Sequence, residues 1–230
     1  MDGQFLHESE PSLAFVWCIP LACADRVEQE FSALLDPVEA ARALRFATHD
    51  ERRRYVVSHG AVRLILSAFT GRGARAIQIA TGVWGKPYVV GTGPHFSLSH
   101  DGDVALVAGT TQGPIGVDVE RVRPHLAIDT FARSLVPAPD VARIDALVPE
   151  ERSRAWFSAW TRLEAVAKAS GKGLSDDWVA NLGGPRPFRI WSLDVDDTRV
   201  GAVATTPSVT HVVYEAFPNA ASARARFGPA

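Results

Sequence analysis

The sequence has few cysteines and little excess charge, and each shortage argues against a class of protein. Among its 230 residues are 2 cysteines, Cys18 and Cys23, without CxxC spacing or a nearby histidine cluster. We therefore expect buried thiols rather than a disulfide framework or a zinc site. Lysine and arginine total 24 against 26 acidic residues, a formal charge of -2, so nucleic acid is not an expected partner.

Long apolar runs and several well-known catalytic motifs are also missing. No stretch approaches the roughly 18 apolar residues of a membrane span, and no secretion signal opens the chain, so we expect a soluble, cytoplasmic protein. The sequence contains no GxxxxGK[ST], no GxGxxG after a strand and no GxSxG, which leaves P-loop, dinucleotide and serine-hydrolase chemistry without support. A hydrophobic content of 47% can nevertheless fill a substantial core.

Apolar periodicity predicts two long helices. The first begins at Thr48 and Glu51, which have capping-box spacing, and ends near Gly71. Its apolar stripe consists of Val57, Ala61, Leu64, Ile65 and Ala68. The second begins at Pro149 and ends near Gly171. Its stripe consists of Trp156, Trp160, Leu163 and Ala167.

Shorter segments predict strands around these helices. "LAFVWCIPL" is a strand candidate followed by two short helical stretches, and alternating strands run from "AIQIATG" to "IGVDVE". "LAIDTFARSLV" is weakly helical, and "APDVARIDALVPEE" is a helix or a loop. "PFRIWSLDV", "VGAVATT" and "THVVYEAF" close the chain as three strands. A long helix followed by strands thus occurs twice.

We therefore predict an α+β fold with two similar lobes related by a pseudo-twofold axis. Each lobe would be a mostly antiparallel sheet packed with one long helix, and the active site would lie in the cleft between the lobes. The predicted division is 1–112 and 113–230.

The stretch "GPIGVDVERVRP" raises a question of charge. Ile115, Val117 and Val119 alternate with Gly116, Asp118 and Glu120, so a half-buried strand would present both carboxylates on one face. Two alternatives remain open from this strand alone. The pair is solvent-facing, with Arg121 or Arg123 as partner, or it binds one hard cation.

The second helix adds candidates for the same site. At 100° per residue, Glu164 and Lys168 lie about 40° apart, beside the buried stripe. They form either an ordinary i,i+4 ion pair or a third oxygen ligand with a lysine facing a nearby anion. Three carboxylates with open coordination positions would suit Mg²⁺.

Several cationic residues are candidates for binding an anion. On the first helix Arg54 is predicted to face inward, toward a salt-bridge partner or a phosphate, whereas Arg52 and Arg63 are predicted to project outward. Arg42 by itself indicates a solvated surface charge. Lys86 lies in the turn "GKP" and, taken alone, is typical of a lysine in a turn. His100 lies at the end of a strand and, taken alone, is typical of a surface histidine.

Four motifs in order, "GKP", "FSLSH", "IGVDVE" and "WTRLEAVAKASGKGL", resemble the 4'-phosphopantetheinyl transferases, specifically the larger, surfactin-synthetase-activating type with two lobes in one chain. The resemblance extends over roughly residues 35 to 175. The pairing of GxDxE with W-[ST]-x-x-E-x-x-x-K about 40 residues later is its most specific part.

The resemblance implies Mg²⁺-dependent transfer of the phosphopantetheine arm from coenzyme A to a serine of an apo acyl or peptidyl carrier protein, with release of 3',5'-adenosine bisphosphate. Mn²⁺ could replace Mg²⁺. Asp118, Glu120 and Glu164 would be the metal ligands. Lys168 would assist the leaving group, and Glu164 would be a ligand, a base for the serine, or both.

The resemblance also implies the coenzyme A contacts. Arg54 and, less directly, Arg42 would contact the 3'-phosphate. Gly85, Lys86 and Pro87 would lie along the nucleotide, and Ser99 with His100 near the phosphates; Lys168 would contact the pyrophosphate. In the predicted division, the first lobe would supply the nucleotide contacts and the second the metal-binding and catalytic residues.

One position departs from the family pattern, because Leu163 stands where the family commonly has lysine directly before the metal-binding glutamate. We expect retained metal binding with a change in coenzyme A affinity or rate. The alternatives are a catalytically silent protein that binds coenzyme A or a carrier, and another Mg²⁺-dependent phosphate-ester enzyme. Exposed arginines such as Arg133, Arg143 and Arg152 are candidates for carrier docking or plain surface charges. Two lobes in one chain are compatible with a monomer.

Overall fold

The computed structural model describes residues 12–124, 130–173 and 188–217. Within these ranges the chain forms nine strands and six α-helices. The strands are β1 Leu13–Pro20, β2 Ile79–Thr81, β3 Pro87–Val89, β4 His95–Asp101, β5 Val104–Thr110, β6 Ile115–Arg121, β7 Arg189–Asp196, β8 Arg199–Thr205 and β9 His211–Ala216. The helices are α1 Asp25–Ser32, α2 Pro37–Ala43, α3 His49–Thr70, α4 Thr130–Leu135, α5 Ala138–Asp145 and α6 Pro149–Ser170.

The predicted helix ends of α3 and α6 are confirmed. Thr48 and Glu51 form a reciprocal capping box at the start of α3. Gly71 and Gly171 cap the two helices with left-handed φ angles of 65° and 70°, which glycine adopts without a steric penalty. The segment left open as helix or loop contains α5. Part of the weakly helical segment forms α4; its residues 126–129 lie outside the described ranges.

The strands form two main sheets and a small hairpin. One sheet has the order β4-β5-β1-β9, the other β6-β8-β7, and β2 pairs with β3. All pairings are antiparallel except that of β1 with β9. The α+β fold with mostly antiparallel sheets is confirmed. Strand β9 lies in the first sheet although it follows β7 and β8 in the chain, and the pseudo-twofold relation and the division at residue 112 stay predictions.

Four layers stack in the order α3, first sheet, second sheet, α6. On the first sheet Trp17, Ile19 and Val107 belong to the core shared with α3. Alternate residues of the same strands, such as Val16 and Leu106, pack on the second sheet. The outer face of the second sheet meets α6 through Ala165, Ala169 and the β8 alanines Ala202 and Ala204. Both sheets are therefore covered on both faces.

This layering corrects the interpretation of β6 as half-buried. Ile115, Val117 and Val119 face the first sheet, and the opposite face of β6 lies under α6, so residues 115–119 are all buried. Asp118 is only 4% exposed, and the solvent-facing alternative for it is wrong. Periodicity distinguishes the two faces of a strand but does not show that a helix covers the polar one.

Two predictions on α3 are also wrong. Ala68 is exposed, although it was placed in the apolar stripe. Arg63 was expected to project outward, yet it is 0% exposed. Its guanidinium pairs with Asp36 and Glu39 and donates to the carbonyls of Ala74 and Ile77. The helical wheel misplaced Arg63 because α2 and the turn after α3 cover that face with oxygen acceptors, which satisfy a buried charge.

The remaining expectations concern the cysteines and the membrane. Cys18 and Cys23 are free thiols, and both are half-buried rather than buried as expected. Among the described residues, no helix combines the length and apolarity needed to cross a membrane.

Candidate active site

The site forms where the edge strand of one sheet meets the edge strand of the other. Strand β4 ends the first sheet and β6 ends the second. Side chains of β4 accept hydrogen bonds from backbone amides of β6. Ser97 Oγ accepts from the Val117 amide at 3.1 Å, and Asp101 accepts from the Arg121 amide at 2.6 Å. Ser99 Oγ donates to Asp118 Oδ1 at 2.8 Å. The junction between the sheets is thus made by side chains of alternate residues on one face of β4.

Gly116 allows α6 to lie directly on β6. A Cβ at this position would be 2.1 Å from the Ala165 carbonyl oxygen and 2.3 Å from the Ala169 nitrogen. Any side chain would therefore push the helix away. This close approach brings Glu164 and Lys168, one helical turn apart, over the face of β6 that carries Asp118 and Glu120.

Lys168 supplies the positive charge beside the carboxylates. Its Nζ donates to Asp118 Oδ1 at 2.7 Å and to Ser99 Oγ at 2.9 Å. Among the described residues, Lys168 and Glu164 do not form the ordinary i,i+4 ion pair, for which the N–O distance would be at most 4.0 Å. Lys168 bridges α6, β4 and β6 instead. Glu120 takes Arg123 as its partner at 3.0 Å, one of the two arginines named from the sequence.

Burial raises the pKa values of all three predicted metal ligands. It raises the pKa of Asp118 above its ordinary value, although the charge and hydrogen bond of Lys168 oppose the shift. Burial, followed by the charges of Asp118 and Asp101, raises the pKa of Glu120 to about 7. Burial and then Asp118 raise the pKa of Glu164. Each carboxylate is thus destabilised in its charged form, which a bound cation would reverse.

One atom of this group lacks a partner. Asp118 Oδ2 is buried and has no hydrogen bond among the described residues. A buried carboxylate oxygen without a donor is costly unless a ligand satisfies it. Together with the oxygen-only donor set of two glutamates and one aspartate, this fits a hard cation such as Mg²⁺.

The carboxylates are not drawn into a tight cluster. Among the described residues, the acidic and histidine groups whose ligand atoms all lie within 4.8 Å of one another are Asp25, Glu28 and His49. That second group is a poor cation site, because Arg52 and Arg53 already bind Glu28. Asp118, Glu120 and Glu164 do not all meet this 4.8 Å limit.

A cavity of about 200 Å³ adjoins this group and brings three of the sequence motifs together, "GKP", "FSLSH" and "WTRLEAVAKASGKGL". Gly85, Lys86 and Pro87 line one wall, and Glu164 and Lys168 line another. Trp84, which the sequence did not distinguish from core tryptophans, also lines it and is 62% exposed.

Ser99 and His100 lie on opposite faces of β4. Ser99 is buried toward Asp118, whereas the exposed His100 lies on the side of α3. Partial enclosure by protein, and then the charges of His59 and Lys168, lower the pKa of His100. A neutral imidazole at neutral pH follows, which can accept a proton or a hydrogen bond.

The two predicted phosphate-binding arginines lie farther out. Arg54 donates two hydrogen bonds to Asp103 Oδ1, at 3.1 and 3.0 Å, so the salt-bridge alternative occurs here. Arg42 is exposed, lines a separate cavity of about 740 Å³ and stacks over the Tyr55 ring at 5.5 Å. Tyr55 in turn stacks on His59 at 4.0 Å, a row signalled only by the i,i+4 spacing of these two rings.

Comparison with known proteins shows the family to which the chain is similar. The family described as the 4'-phosphopantetheinyl transferase superfamily matches residues 114–225. The 4'-phosphopantetheinyl transferase HetI of Nostoc is 30% identical over 203 residues, which are 82% of this chain and 86% of HetI. The 4'-phosphopantetheinyl transferase of Bacillus subtilis is 26% identical over 157 residues, 68% of each chain. A Synechocystis protein provisionally given the same name is 30% identical over 148 residues, 63% of this chain and 60% of its own length.

Proposed function

Because the chain belongs to the 4'-phosphopantetheinyl transferase superfamily, we propose that it transfers the 4'-phosphopantetheine arm of coenzyme A to a serine of an apo acyl or peptidyl carrier protein. The single observation that carries the proposal is the orphaned Oδ2 of buried Asp118, in a group of carboxylates beside Lys168. The silent alternative is disfavoured because Asp118, Glu120, Glu164 and Lys168 are all present.

Asp118, Glu120 and Glu164 would hold the metal ion. Bound there, Mg²⁺, or Mn²⁺ in its place, would offset the charge of the pyrophosphate and of the departing group. Ser99 and Lys168 would keep Asp118 ionised and oriented through its Oδ1, leaving Oδ2 for the ion. One oxygen of the Asp118 carboxylate would thus bind protein donors and the other would bind the ion.

The transfer makes one bond and breaks one. The serine Oγ would attack the phosphorus next to the pantetheine arm, forming the phosphoester and breaking the phosphoanhydride bond to 3',5'-adenosine bisphosphate. Glu164 would take the serine proton, because it lines the cavity beside Lys168 and a positioned carboxylate can act as a general base. Lys168 would stabilise the negative charge on the leaving phosphate.

Coenzyme A would lie along the 200 Å³ cavity beside Gly85, Lys86 and Pro87. His100 would approach the phosphates from the other face of β4 as a neutral donor or proton acceptor. Arg54 would contact the 3'-phosphate by exchanging Asp103 for it, and Arg42 would assist from the outer cavity. The arginines named as candidates for carrier docking bind acceptors of this chain: Arg133 binds Asp145, Arg143 binds Asp140 and Arg152 binds the Leu147 carbonyl.

The test is transfer to purified apo carrier proteins, followed by intact-mass spectrometry. We expect the mass gain of one phosphopantetheine arm with coenzyme A and Mg²⁺, and none with a chelator. Asp118→Asn should abolish the gain, whereas Asp50→Asn, which changes an aspartate with a 72% exposed side chain on α3, should not. Coenzyme A binding without transfer to any of several carriers would favour the silent alternative.

A further inference from the structure

The ammonium group of Lys86 joins three elements of the fold. Lys86 lies in the turn between β2 and β3, where Gly85 has a φ of +83°. Its Nζ donates to the Ile115 carbonyl at 3.0 Å and to the Ala169 carbonyl at 2.9 Å. Ile115 begins β6, and Ala169 lies in the last turn of α6. One cation therefore ties the hairpin to both elements that carry the acidic residues.

Both carbonyls need a donor from outside their own element. The last four carbonyls of a helix have no intrahelical amide partner, and Ala169 is one of them. The negative end of the α6 dipole also favours a cation there. Ile115 lies two residues before Val117, whose amide turns away from β8 toward Ser97, so the Ile115 carbonyl is on the same unpaired edge.

The two anchored carbonyls flank the site. Ala169 directly follows Lys168, and Ile115 lies three residues before Asp118. We propose that Lys86 is a positioning residue, which fixes the end of α6 on the start of β6 and thereby sets Lys168 against Asp118. The kinetic part of this inference rests on the proposed transfer function; the structural part does not.

This role differs from a charge contact to coenzyme A. A lysine that only binds a phosphate contributes to substrate affinity, so its loss raises KM. A lysine that positions Lys168 contributes to the transition state, so its loss lowers kcat at saturating substrate. The backbone of Gly85 and Pro87 can still lie along the ligand while the Lys86 ammonium stays on its two carbonyls.

Lys86→Met tests the inference, with Lys172→Met as the matched control. Lys172 is an exposed lysine just beyond the end of the same helix. Hydrogen exchange without ligands should become faster by about tenfold or more in the last turn of α6 of Lys86→Met, and stay unchanged in Lys172→Met. In the transfer assay, kcat should fall about 10- to 100-fold with KM for coenzyme A changed by less than about threefold.

Unchanged exchange in the last turn of α6 would overturn the inference, as would a raised KM with an unchanged kcat. If Lys86→Met does not fold, Lys86→Gln replaces it, because glutamine keeps part of the side-chain length and one neutral donor group. Its exchange rate in the last turn of α6 should then exceed that of the wild type by less than the tenfold expected for Lys86→Met. If the wild-type protein transfers nothing, the exchange result still decides whether Lys86 fixes α6, so failure of the proposed function is distinguishable.

Discussion

Replacing Gly116 with alanine tests whether the depth at which α6 packs on β6 sets the site geometry. The added Cβ would lie 2.1 Å from the Ala165 oxygen and 2.3 Å from the Ala169 nitrogen, where ordinary contact begins at 3.4 Å. Both are backbone atoms that cannot rotate aside, so the helix must withdraw by roughly 1 Å. Such overpacking costs about 1–3 kcal/mol of unfolding free energy.

The functional effect should exceed the loss of stability. Glu164 and Lys168 would move with α6 away from Asp118, and a misplacement of about 1 Å can lower a rate by about 100-fold. We expect that loss in kcat for carrier modification at saturating coenzyme A and Mg²⁺, measured on protein that urea titration shows to be folded. Gly73→Ala is the control, since nothing lies within 4 Å of its added Cβ and its φ is −56°. Wild-type kcat in Gly116→Ala would refute the reasoning.

Three further substitutions give measurable results. The pKa of Glu120 is raised from 4.5 to about 7, so its charge destabilises the metal-free fold above pH 7, and this penalty disappears toward pH 4.5. Glu120→Gln should therefore raise the free energy of unfolding in chelator by roughly 1–2 kcal/mol at pH 8 but by little at pH 4.5. Equal gains at the two pH values in urea titrations would contradict this. Arg63→Met should lower the free energy of unfolding measured by urea titration by about 3–5 kcal/mol, because two carboxylates lose their buried partner. Arg26→Met, which replaces a side chain that is 89% exposed, should change the free energy of unfolding little. Leu163→Lys buries an ammonium at a position 6% exposed and should lower Tm and change KM for coenzyme A or kcat; unchanged KM and kcat would make the departure from the family pattern irrelevant.

The local sequence was sufficient to predict the long helices and the alternation of β6. A capping box, a terminal glycine and a 3.6-residue apolar period act between residues that are near in the chain, so α3 and α6 begin and end close to where they were predicted. The same local information placed Asp118 with Glu120 on one face, and Glu164 with Lys168 on another. It could not distinguish a helical Glu164 to Lys168 pair from contacts to another element.

Only the tertiary structure decided which partner each charged side chain takes. Lys168 binds Asp118 across 50 residues. Arg63 binds Asp36 and Glu39, the N-cap and a first-turn residue of α2, rather than solvent. Lys86 binds carbonyls of β6 and α6. The sequence by itself determined the types of residue and their faces, since these follow from the period of each element. Burial and pairing depend on which elements cover those faces, here on α6 lying directly against Gly116, and no periodicity contains that information.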